Sequence, residues 1–305
     1  MKDEQAWEWL DKNDLSYSIW ENKYRNGDET LEQWLDRVSG GDSRIRTLIK
    51  DKKFAFGGRI MANRGIKDAK VSLSNCYVIE PPEDNLKSIM RICKDLAITY
   101  SRGGGCGVDL SKLRPCGAKV NNAAKESTGP VSFMELYSQV TGTISQNGRR
   151  GALMISLDVN HPDVEKFIDI KTDLSKVNYA NISIKVNDAF MEAVRSDSDY
   201  MLCWPTTDKT AQTLGFDYKK EHPDMPYNEL IAVSQHVNKK GVIDNVIYVK
   251  RIKARNLYLK LCKNNWDYAE PGILFWDTVR EYNMLNNNNI FEFAGVNPCR
   301  LMCRA

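Results

Sequence analysis

Hydrophobic positions follow two different rhythms along this chain. Up to about Ala69 they recur at helical intervals, first as Trp7, Leu10, Tyr17, Trp20 and Tyr24, then as Leu31, Trp34, Leu35 and Val38. Gly40-Gly41-Asp42-Ser43 interrupts that pattern and can cap the helix that follows. From Val71 onward, short apolar runs alternate with helical faces. Strands are predicted at Asn75–Ile79, Gly105–Leu110, Ala152–Leu157, Asn181–Val186, Met201–Trp204 and Gly272–Trp276. Helices are predicted at Leu86–Tyr100, Val131–Ile144, Asp163–Ile170, Asp188–Arg195 and Ile247–Asn264. Such alternation predicts an α/β domain with parallel strands. Residues 205–246 break the rhythm; long, polar and rich in Asp, Lys and Asn, they read as an insertion or surface excursion. The four asparagines at 286–289 read as a loop. The expected division is a helical N-terminal domain over 1–69, an α/β domain over 70–299 and a short tail over 300–305.

Composition narrows the class without naming a function. The chain has 305 residues, 42% of them hydrophobic, enough for one large domain or two ordinary ones. Net charge is +3, too balanced to argue for a nucleic-acid partner. No run approaches the ~18 apolar residues of a membrane span. The polar, acidic start Met1-Lys2-Asp3-Glu4-Gln5 lacks the order of a secretory signal, so a cytoplasmic location is expected. Eight cysteines include no C-x-x-C pair, and the three histidines are scattered, so no zinc or other metal site is expected. Cys93, Cys106, Cys116, Cys203 and Cys262 read as buried small hydrophobes.

Three local patterns carry candidate chemistry. Gly103-Gly104-Gly105-Cys106-Gly107 follows a helix and precedes a strand, the reverse of a dinucleotide fingerprint, and no P-loop lysine follows. It reads either as a tight helix-to-strand turn or as bare backbone that a ligand can approach. Gln146-Asn147-Gly148-Arg149-Arg150-Gly151 is either a solvated basic loop or one that bonds phosphate or base edges. Cys76 and Cys299 have no adjacent histidine, which argues against a cysteine-protease arrangement and leaves thiol-redox or radical use open.

Taken in order, these pieces resemble the catalytic chain of ribonucleotide reductases, most closely the adenosylcobalamin-dependent class II branch. The resembling stretches are Ser72–Cys76, Arg102–Gly107, Leu110–Pro115, Ser127–Met134, Gly148–Met154, Asn160–Asp163 and Asn297–Cys299. The resemblance implies a helical N-terminal region followed by the first half of a ten-stranded α/β barrel, with a finger loop inside it. It implies that Cys299 becomes the thiyl radical, that Asn297 bonds substrate beside it, and that Cys76 is one of two reducing cysteines. It places Gly58, Asn75, Cys76, Gly104 and Asn297 at the substrate, with Asn75 replacing a serine common in the family. It places Asp84, Asn85, Leu86 and Arg114 at an effector site, and Gln146, Asn147, Gly148, Arg149, Arg150 and Gly151 in the loop that relays effector identity. The implied partners are a ribonucleotide substrate, a deoxynucleoside triphosphate effector, an external dithiol, a second copy of the chain and a complementary C-terminal fragment, with neither membrane nor nucleic acid. The implied cofactor is adenosylcobalamin.

The sequence departs from the family at its end. The family reads Asn-Pro-Cys-Gly-Glu, whereas here Arg300 and Leu301 follow Cys299. Leu301 cannot transfer a proton, and the second redox cysteine and diphosphate loop are not in this sequence. Residues 300–305 are therefore expected to lie outside the family pattern, and the chain is expected to be inactive alone. The competing expectation is a non-catalytic nucleotide-binding remnant.

Overall fold

A computed structural model describes residues 3–67, 69–118, 120, 122–144, 151–204, 231–237, 243–283, 295–296, 298 and 302–303, with backbone only over 231–237, 243–247 and 302–303. The chain divides into two compact units. The first extends to Asn75 and also takes in Arg102–Gly104; the second comprises Cys76–Ser101 and the residues from Gly105 onward.

Capping and aromatic packing build the first unit. It contains α1 (Glu4–Trp9), α2 (Asp14–Ile19), a π-helical turn (Trp20–Tyr24), α3 (Leu31–Ser39), α4 (Ser43–Lys50) and α5 (Gly58–Asn63). Asp3, Asn13 and Asp42 each accept from the first turn of the helix they precede. Thr30 and Gln33 form a reciprocal capping box on α3. The predicted stripe Leu31, Trp34, Leu35, Val38 is buried, together with Tyr17 and Trp20. Arg37 ties the unit together: its guanidinium grips the Glu29 carboxylate at 2.7 and 2.9 Å and donates to Arg64 O at 2.6 Å.

The second unit is built on five parallel strands, β1 (Cys76–Val78), β2 (Gly105–Asp109), β3 (Leu153–Asp158), β4 (Ala180–Val186) and, far along the chain, β8 (Gly272–Phe275). Their order is β1-β2-β3-β4-β8, and this matches the expected helical region and parallel α/β sheet. Helices α6 (Leu86–Ser101), α7 (Pro130–Thr143), α8 (Val164–Asp169), α9 (Asp188–Arg195) and α10 (Ala254–Tyr268) supply the crossovers. Strand alternation sorts the sheet into two faces. Cys106, Val108, Leu153, Ile155, Leu157, Ile182, Ile184 and Val186 join the main core with Ile89, Ile92, Leu96 and Tyr137 of the helices. The opposite face carries Cys76, Gly105, Gly107, Asp109, Met154, Ser156, Asp158, Ser183 and Lys185.

Two expectations are corrected. Met201–Trp204 does not continue the parallel sheet: β5 (Asp199–Trp204) pairs antiparallel with β7 (Ile243–Lys253), which pairs antiparallel with β6 (Ile231–Val237). Ile247–Lys253 is strand rather than helix, and α10 begins only at Ala254. The run Val246-Ile247-Tyr248-Val249 favours a pleated surface, and the ladder to β5 buries Val249 and Ile252. Part of the stretch read as an excursion is therefore ordered strand; residues 205–230 lie outside the described residues, as does the asparagine run.

Candidate functional site

The face of the sheet opposite the main core owes its shape to missing side chains. Cys76 opens β1 and pairs in register with Gly105; Val78 pairs with Gly107. Glycine at both β2 positions leaves a trough beside the Cys76 thiol. A returning segment occupies that trough: β9 (Gly295–Val296) crosses the face, with a Cβ added at Gly295 standing 3.6 Å from Asp109 Cβ and 3.9 Å from Val78 Cγ1. Val296 is buried with Met154, Leu274 and Trp276, the first residue of α11 (Trp276–Glu281). Further along, Pro298 Cγ comes within 3.3 Å of where a Gly105 Cβ would be. Pro298 thus lies beside the strand partner of Cys76, at the opposite end of β2 from Gly295. Asn297 and Cys299 flank Pro298 in sequence and lie outside the described residues. The tail is not wholly separate: Met302 and Cys303 form β10, antiparallel to β9.

The other expected substrate residues fall in the first unit. Gly58 starts α5, and a Cβ there would stand 3.3 Å from Tyr24 Oη. The Asn75 side chain comes next to the same helix start, its Nδ2 3.9 Å from a Cβ added at Gly57. Gly104 is buried and follows Gly103, whose φ of +88° and close approach to the Arg59 guanidinium both demand glycine. Ser72 N donates to Arg102 O at 2.9 Å, and Asn63 Nδ2 to Ser72 O at 2.8 Å, fixing this loop to α5.

The structure brings two of the expected effector residues into contact. Arg114 and Asp84 bind each other: Arg114 Nε donates to Asp84 Oδ2 at 2.6 Å and its backbone N–H to Oδ1 at 3.0 Å. Asn85 serves as a helix cap, its side chain accepting from Ser88 N at 2.9 Å. Leu86 stands exposed on the first turn of α6. Gly151 is half-buried, and a Cβ there would press on Thr141 and Tyr100 at 3.1 Å. Residues 146–150 lie outside the described residues.

Other motif residues turn out to be fasteners. His161 is buried; its Nε2–H donates to Leu113 O at 2.8 Å while Nδ1 accepts from Asp163 N at 3.0 Å. Burial pushes its pKa below the ordinary histidine value and outweighs the opposing pull of Asp163. Asp163 accepts from Cys116 N at 2.7 Å, and Asp158 N donates to Ser111 Oγ at 2.8 Å. Asn160–Asp163 thereby pins the Leu110–Pro115 loop that presents Arg114. Of the five cysteines read as core filler, Cys106 is buried, its thiol pushed up to about 12 by burial, while Cys93, Cys116, Cys203 and Cys262 are only partly buried.

The sequence reading missed a charged network on the face opposite the main core. Lys185 Nζ lies 3.0 Å from Asp109 Oδ2 and 3.9 Å from Asp158 Oδ2, and 4.9 Å from the centre of the Trp276 ring. Ser156 Oγ donates to the same Asp109 oxygen at 2.6 Å, and Ser111 N to the other at 3.1 Å. Burial opposes the Lys185 charge, but Asp109 and Asp158 outweigh it and hold its pKa above the ordinary lysine value. Burial raises the Asp158 carboxyl, although 19% of that side chain still meets solvent. The available signal was Lys185 itself, a charge on an inward position of a buried strand. Among the described residues no group of metal-ligating side chains assembles.

Fold and face define an α/β domain whose parallel sheet accepts a returning chain segment on the side away from its main core. The ribonucleotide reductase barrel domain matches residues 74–301, and the chain belongs to that family. It is 29% identical over 298 residues to a vitamin B12-dependent ribonucleoside-diphosphate reductase of Mycobacterium tuberculosis, covering 97% of this chain and 36% of the relative. A protein of the same description from Thermoplasma acidophilum is 29% identical over 279 residues, covering 88% and 31%. A vitamin B12-dependent ribonucleotide reductase of Streptomyces clavuligerus is 27% identical over 271 residues, covering 81% and 24%. The chain spans about a third of the length of the first of these relatives. No described helix is long and apolar enough to cross a membrane.

Proposed function

We propose that this chain is the N-terminal part of a ribonucleotide reductase catalytic chain, and that it reduces ribonucleotides only together with the second half of the barrel. One observation carries the reading: Pro298, the residue before Cys299, lies against Gly105, the register partner of Cys76. A radical cysteine and a reducing cysteine must both reach one ribose, and this placement supports that meeting.

In this reading Cys299 carries the sulfur radical that removes and later returns the ribose 3′ hydrogen. Cys76 and a second cysteine from the other barrel half give up two electrons and two protons and end as a disulfide. The 2′ hydroxyl leaves as water, and hydrogen takes its place. Asn297, Asn75, Gly58 and Gly104 hold the substrate. Leu301 stands where the family has its glutamate base, so that proton transfer falls to another residue. Asp84, Asn85, Leu86, Arg114 and residues 146–151 hold a deoxynucleoside triphosphate, in a site that a second copy of the chain completes. An external dithiol resets the cysteines.

The relatives' descriptions and the resemblance both point to a cobalamin cofactor. His161, the one histidine whose side chain is described, has both ring nitrogens engaged and so offers it no ligand.

The test mixes the purified chain with a polypeptide carrying the second barrel half, a ribonucleotide, adenosylcobalamin and a dithiol. Deoxyribonucleotide is expected only from the mixture, and not when Cys299→Ser is used. Turnover by the pure chain refutes the requirement for completion. A mixture that binds nucleotide without turnover favours the non-catalytic nucleotide-binding alternative.

A further inference from the structure

The segment that leads to Cys299 rests on two supports. Gly295 lies over Asp109 at the end of β2, and Val296 inserts among Met154, Leu274 and Trp276. One side chain touches both supports. Lys185 Nζ bonds Asp109 at 3.0 Å and sits 4.9 Å from the Trp276 ring centre. We propose that Lys185 is a positioning residue: by joining Asp109 to Trp276 it fixes the bed on which β9 lies, and so where the chain places Pro298, the residue before Cys299 in sequence. The role assigned to Cys299 rests on the function proposed above; the bed itself does not.

The physical argument turns on what the network costs. Lys185 and Asp109 keep 8% and 3% of their exposure. Taking an ammonium and a carboxylate out of water consumes most of what their attraction returns, and a well-packed apolar pair is often as stable. Stability alone therefore gives little reason for these charges. Geometry gives a better one. The Ser156 hydroxyl and the Ser111 N–H hold the Asp109 carboxylate from two sides, leaving it one rotamer. Lys185 then points in one direction, across the Trp276 face, where the attraction between cation and ring fixes the indole. An apolar side chain here would slide, and Val296 would slide with it. Glycine at 105 and 107 offers no side chain to stop that movement.

Hydrogen exchange and thiol trapping on the whole chain separate this proposal from the reading it rests on. Lys185→Met keeps length and removes charge; Lys185→Arg keeps charge and the ability to stack on Trp276. In Lys185→Met, amide exchange in the peptide containing Gly295–Val296 is expected to accelerate by about tenfold or more, while exchange in α6 stays at the wild-type rate. Lys185→Arg is expected to restore most of the protection. If Lys185→Met does not fold, the charge-neutral pair Asp109→Asn with Lys185→Met takes its place, with the same expectation. Unchanged exchange in β9, or equal acceleration throughout the chain, overturns the proposal.

In parallel, diamide, an azo oxidant, takes two electrons and two protons from a pair of nearby thiols, leaving a disulfide and the hydrazine. Peptide mapping reads whether Cys76 joins Cys299. Failure of the wild type to form that bond counts against the proposed function and leaves the exchange result to decide the bed. Formation in wild type, with severalfold slower formation in Lys185→Met and recovery in Lys185→Arg, supports both.

Discussion

Replacing Gly105 by alanine tests the trough directly. The new methyl carbon would stand 3.2 Å from Ala152 Cβ, 3.2 Å from Ala152 O and 3.3 Å from Pro298 Cγ. Carbon atoms settle at about 3.5–4.0 Å, so each neighbour must yield by a few tenths of an ångström. Ala152 is poorly placed to yield, because its carbonyl accepts from Cys106 N at 2.8 Å beside the start of β3. Pro298, on a segment with fewer ladder bonds, moves instead. Overpacking of this kind costs about 1–3 kcal/mol. Against it, alanine restricts the unfolded chain and returns about 0.4–1 kcal/mol, since Gly105 does not need a left-handed backbone. The net expectation is a loss of about 1 kcal/mol, with a larger loss for Gly105→Val. Urea denaturation gives the stability, with the m-value expected to hold. Mass-spectrometric alkylation gives the relative reactivity of Cys299 and Cys76, with that of Cys299 expected to change first. An alanine variant more stable than wild type, with unaltered Cys299 labelling, would show that Pro298 does not depend on the trough.

Three further outcomes are expected. Arg114→Ala should weaken deoxynucleoside triphosphate binding by about 1.5–3 kcal/mol through loss of a charge-assisted bond; titration calorimetry finding equal affinity in both proteins would remove Arg114 from the effector site. His161 should make the second unit acid-sensitive. Its folded pKa lies below the ordinary 6.5, so the unfolded chain binds the proton first and stability declines as pH falls through 6.5; urea midpoints between about pH 7.5 and 5 should show this decline, flattened in His161→Gln. Thr30→Ala removes the reciprocal cap on α3 and should cost the first unit about 1 kcal/mol, read as a lower thermal midpoint.

Much of this architecture was legible before any coordinates, for reasons that differ by element. The α3 stripe and the strands of the parallel sheet were readable because periodicity reports which face is buried, and these elements bury one face or both. The β7 misreading has the same root. Its apolar residues are dense enough to fit a helix until the partner strand β5 is known, and that partner lies some fifty positions earlier. The candidate site was legible only where chemistry is local: the glycines of β2, the Asn-Pro-Cys run and the Asn160–Asp163 motif stand out in one dimension. The pairing of Asp84 with Arg114, 30 residues apart, and the Asp109–Lys185–Asp158 network do not, because each is made by the crossovers. Nothing in the local sequence of Ser183-Ile184-Lys185-Val186 says that one carboxylate waits on the neighbouring strand β3 and another on β2 beyond it.

The return from β4 to β8 bears on how the molecule assembles. Between these adjacent strands the chain leaves the sheet, builds β5, β6, β7 and α10, and comes back; Glu270, at the end of the detour, accepts from Ile182 N, 88 residues earlier. Four strands have their neighbours in hand as soon as β4 emerges from synthesis, whereas the fifth place stays open until the detour is complete. The energetic burden of that wait is small, since each doubling of a closed loop costs only about 0.6 kcal/mol. Evolution is therefore free to lengthen, shorten or decorate the detour with little effect on the sheet. The burden falls on time instead: β8 should be the last strand of the sheet to gain protection in pulsed hydrogen exchange, and until it does, the unpaired edge of β4 is where a nascent chain is most open to a wrong partner.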